Sequence, residues 1–315
     1  MNLHFLKQHL NLWWLRPESA LWDASASQVV SAIALKSPSL DLGCGNGLWS
    51  FVTAGGSFSA GYDWFLHADS RGFSKNKDIY DVPLSMRPDR HILRRPRRGF
   101  DWAFDHKANL LSQAASLGFY ENVKQGDGNR RLPFEDEAFQ AVFSNILYWL
   151  RDPSSALSEI NRILALGGRT LLCIPDPRYK IFCESYQWKP QRSRLLKILN
   201  RGRSECHDWT ATFPEIKSLA KRKGFVIDHH ETYLSPKLLR FWDVGLRLLS
   251  PPLLDMVGRL TAKDRLQVKK KWIQAVLPAM TEMLHEEGRS RVPGGFHFVV
   301  LRKKKSLSRH SKTHR

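Results

Sequence analysis

The chain has 315 residues, 42% hydrophobic and 25% charged, the balance of a folded protein of one large or two small domains rather than a disordered one. Its four cysteines, Cys44, Cys173, Cys183 and Cys206, show no paired spacing, which excludes a disulfide scaffold and the common zinc ribbons and fits a reducing, cytoplasmic compartment. The formal charge is +19, and three stretches hold nearly all of it: 87–98, 189–203 and 302–315.

In chain order, residues 1–36 read as a helical cap. Leu3, Leu6, Leu10, Trp13 and Trp14 recur at helical spacing, Pro17 interrupts, and 19–34 resumes with Leu21, Val29, Val30 and Ile33. Residues 39–42 form a short apolar strand, and a helix follows over 48–53. The stretch 55–98 mixes glycine pairs, prolines, aromatics and the arginine cluster. It reads as an insertion with little regular structure, ordered by its aromatics. Phe100, Trp102 and Phe104 alternate in a strand ending at Asp105. A helix over 109–117 and strands over 123–125 and 139–143 follow. The helix over 154–166 is closed by Gly167 and Gly168, a left-handed cap, and precedes a strand over 170–174. Strand and helix alternate throughout, so the class is α/β, with a mostly parallel sheet covered on both faces.

Beyond Pro177 the pattern loosens into a basic helix over 191–199, a helix over 214–223 and a strand over 225–229. Helices broken by Pro251 and Pro252 fill 236–286, and a last strand runs over 296–301. Four regions result: the cap 1–36, a core 37–177 carrying the insertion, an acceptor and lid region 178–303 with the last two strands, and a disordered basic tail 304–315. Leu238, Phe241, Trp242, Leu246, Leu248 and Leu249 lie among Lys237, Arg240 and Arg247. They suit either a buried lid helix with a basic rim or a helix resting on an anionic membrane. No apolar run reaches the ~18 residues of a membrane span, and the short patch 10–15 lacks the small-residue site of a secretory signal.

The chemistry concentrates at Asp41-Leu42-Gly43-Cys44-Gly45-Asn46-Gly47, where a strand gives way to a helix through a turn with glycine at alternate positions. Such a turn lets a ligand approach the backbone closely at the carboxyl end of a sheet. The dinucleotide fingerprint needs its third glycine where Leu48 stands, and the phosphate loop's Gly-Lys-Ser/Thr is missing, so the loop is not built for pyrophosphate.

This motif resembles the first motif of the class I S-adenosylmethionine-dependent methyltransferases. Further blocks follow in the family's order: Asp105, Gly126-Asp127-Gly128, Leu132-Pro133-Phe134-Glu135-Asp136, Phe143-Ser144-Asn145-Ile146, Glu159 to Leu164, and Gly167-Gly168. Similarity is greatest to the small-molecule and lipid-quinone branch. The resemblance implies a Rossmann-like seven-stranded fold, S-adenosylmethionine as cofactor and no metal. It implies that Asp41, Gly43, Cys44, Gly45 and Gly47 line the cofactor's methionine end and ribose, and that Asp105, with His106 beside it, binds the ribose hydroxyls. Asp127 and Gly128 would then meet the adenine, and Ser144 and Asn145 the sulfonium. Asp63 stands at the family's usual distance from Gly47. Asp105 is preferred because it lies 22 residues before Asp127, as one helix and one strand require; Asp101 is a third choice.

His106, Tyr148 and Trp149 are candidates for the catalytic or acceptor side. His207, His229 and His230 have no identifiable partner. The expected reaction is methyl transfer to a small-molecule or lipid-linked acceptor, with anionic character and a peripheral membrane contact favoured by the basic stretches. RNA methylation through the basic loops and a non-catalytic binding module are the alternatives. The Asn-Pro-Pro-Tyr type motif of enzymes that methylate amino groups in nucleic acids is replaced by Ser144-Asn145-Ile146-Leu147-Tyr148.

Overall fold

Helix α1 spans Leu3–Leu12 in the computed structural model of the protein, which describes residues 2–66, 87–187, 196 and 209–304. The Asn2 side chain caps it, accepting the His4 N–H at 3.0 Å. Pro17 does not interrupt the cap but opens α2 (Pro17–Val30), where a missing N–H costs nothing. The helix stops at Val30, earlier than the sequence pattern suggests. Its last amides, Ala32 and Ile33, tighten to carbonyls three residues back, and Pro38 bars helix just beyond.

Strand β1 (Ser39–Leu42) and α3 (Leu48–Thr53) follow as expected. The described part of the insertion holds only short regular elements. Strands β2 (Ser57–Phe58) and β3 (Ile92–Arg94) pair antiparallel, preceded by a 3-10 turn over Pro88–His91. Then come β4 (Phe100–Asp105), α4 (Ala108–Ser116), β5 (Tyr120–Gln125), β6 (Phe139–Ser144), α5 (Pro153–Ile163) and β7 (Leu164–Pro175).

The helix expected to run to Gly167 ends instead at Ile163. Leu164 already pairs with Phe139, and the β6–β7 register shifts between Phe139 and Ala141. A Cβ on Gly168 would stand 3.1 Å from the Gln140 carbonyl oxygen. The glycine pair therefore serves an irregularity inside a strand, not a helix cap.

Helix α6 (Arg178–Phe182) leaves the sheet, and α7 (Phe213–Arg222) returns to it behind a reciprocal Thr212–Glu215 cap. After β8 (Phe225–Tyr233) come α8 (Pro236–Val244), α9 (Ser250–Gly258) and α10 (Ala262–Arg289), and β9 (Phe296–Lys303) closes the described chain. Pro251 and Pro252 sit in the first turn of α9 and start it rather than break it. The basic helix expected over 191–199 lies outside the described residues apart from Leu196, as do 305–315.

The main sheet runs β5-β4-β1-β6-β7-β9-β8, with β9 antiparallel to both neighbours and the other pairs parallel. Alternation along each strand sorts the core into two layers. Leu171, Cys173, Phe296 and Phe298 join one layer with residues of α1–α4 and α8–α10. Leu172, Ile174, Val299 and Leu301 join the other with residues of α5 and α7. This is the Rossmann-like, mostly parallel seven-stranded sheet read from the sequence. Strand order reverses between β1 and β6, the place where open α/β sheets hold ligands.

Candidate cofactor and acceptor site

Parallel register brings the ends of β1, β4 and β5 to one edge: Leu42 lies opposite Phe104, and Asp105 opposite Gln125. The glycine loop hooks onto β4, with the Gly43 and Cys44 N–H groups donating to the Phe104 carbonyl at 2.8 and 3.1 Å. The Asp105 carboxylate accepts the Gly45 N–H on one oxygen and the Lys107 N–H on the other, each at 2.9 Å. A carboxylate has about four lone-pair sites, so acceptor capacity is left for two further donors. Gly45 has a φ of +56°, and no heavy atom lies within 4 Å of where its Cβ would stand. An open loop beside an anchored carboxylate fits the ribose end of a nucleoside.

Asp41 behaves differently. It is 2% exposed, and one of its oxygens accepts both the Ser50 and Tyr120 hydroxyls at 2.7 Å. Its carboxylate braces the loop from beneath instead of lining a crevice. Burial pushes its pKa up to about 6, against the pull of those two hydroxyls. Burial, with Asp41 and Asp105 nearby, also raises the Cys44 pKa, so Cys44 stands as a thiol whose Sγ–H donates to the Gly45 carbonyl at 3.3 Å. Gly47, at φ +74°, abuts Tyr120: a Cβ there would lie 2.6 Å from the ring.

Asp127, on the loop after β5, accepts the Asn129 backbone and side-chain N–H groups at 2.9 Å, and these bonds lower its pKa. A Cβ on Gly128 would meet Leu150 at 3.2 Å. Ser144 is fully buried and its hydroxyl accepts the Ile146 N–H at 3.3 Å, a bond that shapes the turn; Asn145 beside it is half-buried. His106 is largely exposed, its Nδ1 3.3 Å from Asp105.

Asp63 and Asp101 belong elsewhere. Asp63 is neither at the crevice nor solvated: it accepts the Trp14 Nε1–H at 2.9 Å and the Arg265 Nε–H at 2.6 Å in a buried pair. Asp101, at the start of β4, accepts the Ser39 N–H and the Ser37 and Ser39 hydroxyls, each at 2.7 Å. His229 and His230 do have partners. His229 pairs with Glu231, and His230 bonds His297 at 2.9 Å while stacking on Phe213; burial pushes its pKa down to about 4. His207 lies outside the described residues. Among those residues, no group of three or more His, Cys, Asp or Glu side chains could hold a metal.

Beside Asn145, Tyr148 is half-buried against Phe296 with ring centroids 5.9 Å apart, and Trp149 is exposed. Trp22 of α2 meets both Phe296 at 4.9 Å and Trp242 of α8 at 4.4 Å, and Tyr179 of α6 completes this aromatic wall. Trp49 stacks on Phe143 at 5.4 Å. Trp22, Trp49, Ser50, Tyr120 and Trp242 were absent from the sequence-derived site. Ser50 and Trp49 could have been suspected from their places just after the loop. Tyr120 is 79 residues from Asp41 and carried no signal.

Residues 100–172 match the profile of a family described as a methyltransferase domain. The uncharacterized protein YafE of Escherichia coli (strain K12) is 27% identical over 146 residues, 45% of this chain and 65% of that one. The malonyl-[acyl-carrier protein] O-methyltransferase of Erwinia billingiae (strain Eb661) is 37% identical over 70 residues, 22% of this chain and 28% of that one. The chain thus spans just under two thirds of the first relative and under a third of the second. Among solved structures, an S-adenosylmethionine-dependent methyltransferase from Mesorhizobium loti is 14% identical with a TM-score of 0.44, covering 89% of this chain and 97% of that one. Residues 100–172 therefore resemble a methyltransferase domain, and they lie within a sheet of Rossmann-like order. Methyltransferase domains of this kind use S-adenosylmethionine as cofactor.

Proposed function

We propose that the protein transfers a methyl group from S-adenosylmethionine to a small-molecule or lipid-linked acceptor. The observation that carries this reading is the Asp105 carboxylate, held by the Gly45 and Lys107 amides at the edge where β1 and β4 end. Asp105 would accept the two ribose hydroxyls in charge-assisted bonds. The backbone at Gly43 and Gly45 would pass along the methionine end, and the 126–128 loop would flank the adenine. When bound, the cofactor supplies the activated methyl group, and the chain's part is to place a nucleophile in line with it. Asn145, Tyr148 and Trp22 stand where an acceptor would be oriented. The aromatic wall around them favours an apolar body over a hydrated one. The relative that methylates a malonyl-[acyl-carrier protein] supports a carboxylate-bearing, carrier- or lipid-linked acceptor.

Calorimetric titration with S-adenosylmethionine and S-adenosylhomocysteine tests the reading. Wild type binds both, and Asp105→Ala weakens binding at least about tenfold, roughly 1.4 kcal/mol. Absence of binding to folded wild type would overturn the enzyme reading. Unchanged binding in the variant would remove Asp105 from the ribose.

A further inference from the structure

Helix α9 is apolar on two faces. Leu254 and Val257 are buried in the core, as the inner face requires. On the outer side Pro252 and Met256 of the helix, with Leu249 just before it and Leu260 just after it, recur every three or four residues, and all four are exposed. Met256 is 66% and Leu249 52% accessible. A helix apolar all round belongs in a core or against a second surface, and a contiguous exposed stripe of large apolar side chains marks a contact. In α8, which the sequence suited to either a buried lid helix or a membrane-resting one, Leu238, Leu239 and Trp242 are buried.

Exposed cations border the α9 stripe. Arg259 lies within it and Lys263 opens α10, where Lys270 and Lys271 share its exposed face, against the exposed acids Asp255 and Asp264. Leucine and methionine edged by lysine and arginine is the chemistry of an interfacial helix on anionic lipid. No helix among the described residues is long and apolar enough to cross a membrane, so the contact would be peripheral. The stripe belongs to the same excursion between β8 and β9 that sets Trp242 against Trp22.

We infer that α9, with Leu249, Met256 and Leu260 inserted and Arg259 and Lys263 at the headgroups, seats the protein on an anionic lipid surface. The inference does not depend on methyl transfer. Lipid binding can fail while cofactor binding holds, and the reverse.

The test is co-sedimentation of the full chain with vesicles of phosphatidylcholine alone and of phosphatidylcholine mixed with phosphatidylserine. Circular dichroism checks that each variant is folded. Wild type is expected to sediment with the mixed vesicles and not with the neutral ones. The Leu249→Ser/Met256→Ser/Leu260→Ser variant loses at least about tenfold in affinity, and Arg259→Glu/Lys263→Glu also releases the protein. Failure of folded wild type to bind the mixed vesicles overturns the inference. So does full binding by the triple serine variant, which would assign attachment to the basic stretches alone. Self-association of wild type that the triple variant abolishes, without vesicle binding, would reassign the stripe to a second copy of the chain. Binding of single-stranded RNA in place of vesicles would reassign the cations.

Discussion

Asp41 and Asp105 end up at one loop with different tasks. Asp105 is near the crevice and accepts from backbone amides, whereas Asp41 is enclosed beneath Ser50 and Tyr120. Enclosure raises the folded-state pKa of Asp41 from 3.8 to about 6. A raised pKa means that its contribution to stability is complete below about 4 and is lost as the pH climbs through about 6. Asn cannot ionise. The Asp41→Asn variant should therefore gain on wild type in thermal denaturation as the pH is raised over that window, by up to roughly 3 kcal/mol. A stability difference that ignores pH would mean that Asp41 is not held in its raised state. The place of Asp105 at the end of β4 was readable from sequence because one helix and one strand separate it from Asp127, a local distance. The Tyr120 bond to Asp41 was not, since a parallel sheet makes neighbours of residues far apart in the chain.

Elements were legible where local rules dominate. Asp152 accepts the Ser154 and Ser155 amides and starts α5, and Thr212 with Glu215 starts α7. Proline marked the helix breaks at Pro17 and at Pro251 and Pro252, but the sequence pattern did not show that each opens the next helix, where its missing N–H is tolerated. The glycine pair at 167–168 was misread because the positive φ of Gly167 and the tight space at Gly168 serve strand pairing that only the sheet reveals. The insertion shows a further tertiary decision. Asp63 is buried against Arg265 and Trp14, and the Lys269 ammonium donates to the Tyr62 carbonyl, so α10 is clamped to a loop some two hundred residues earlier. Burial pushes the Lys269 pKa down to about 8. Arg265→Met removes the guanidinium bonded to the buried Asp63 carboxylate, with Lys269 remaining nearby, and should lower stability by about 3 kcal/mol in urea denaturation. Adding Asp63→Asn should restore part of that loss. A loss under about 1 kcal/mol would show the pair to be solvated instead.

For the whole molecule, charge and core act separately. The formal charge of +19 sits mainly in three stretches of the sequence, 87–98, 189–203 and 302–315, and the rest of the chain is nearly neutral. Self-repulsion of that charge opposes compaction and is screened within about 10 Å at 0.1 M salt. The melting temperature should therefore rise as sodium chloride is added from low ionic strength, as scanning calorimetry would show. A steady fall would mean that ion pairs such as Arg162 with Glu159 and Asp136 outweigh the repulsion. By itself, the sequence determined the order of the main-sheet strands and their helices from Ser39 to Pro175, the class of fold, and the glycine loop at the end of β1. These follow from periodicity and short-range spacing, which act between near neighbours. Tertiary structure decided that Asp41 faces inward, that Asp63 joins α10, that Trp22 meets Trp242, and which helix keeps an apolar face in water. Each of these joins segments distant in the chain, and burial or partnership across such distances is set by how the layers stack, not by local pattern.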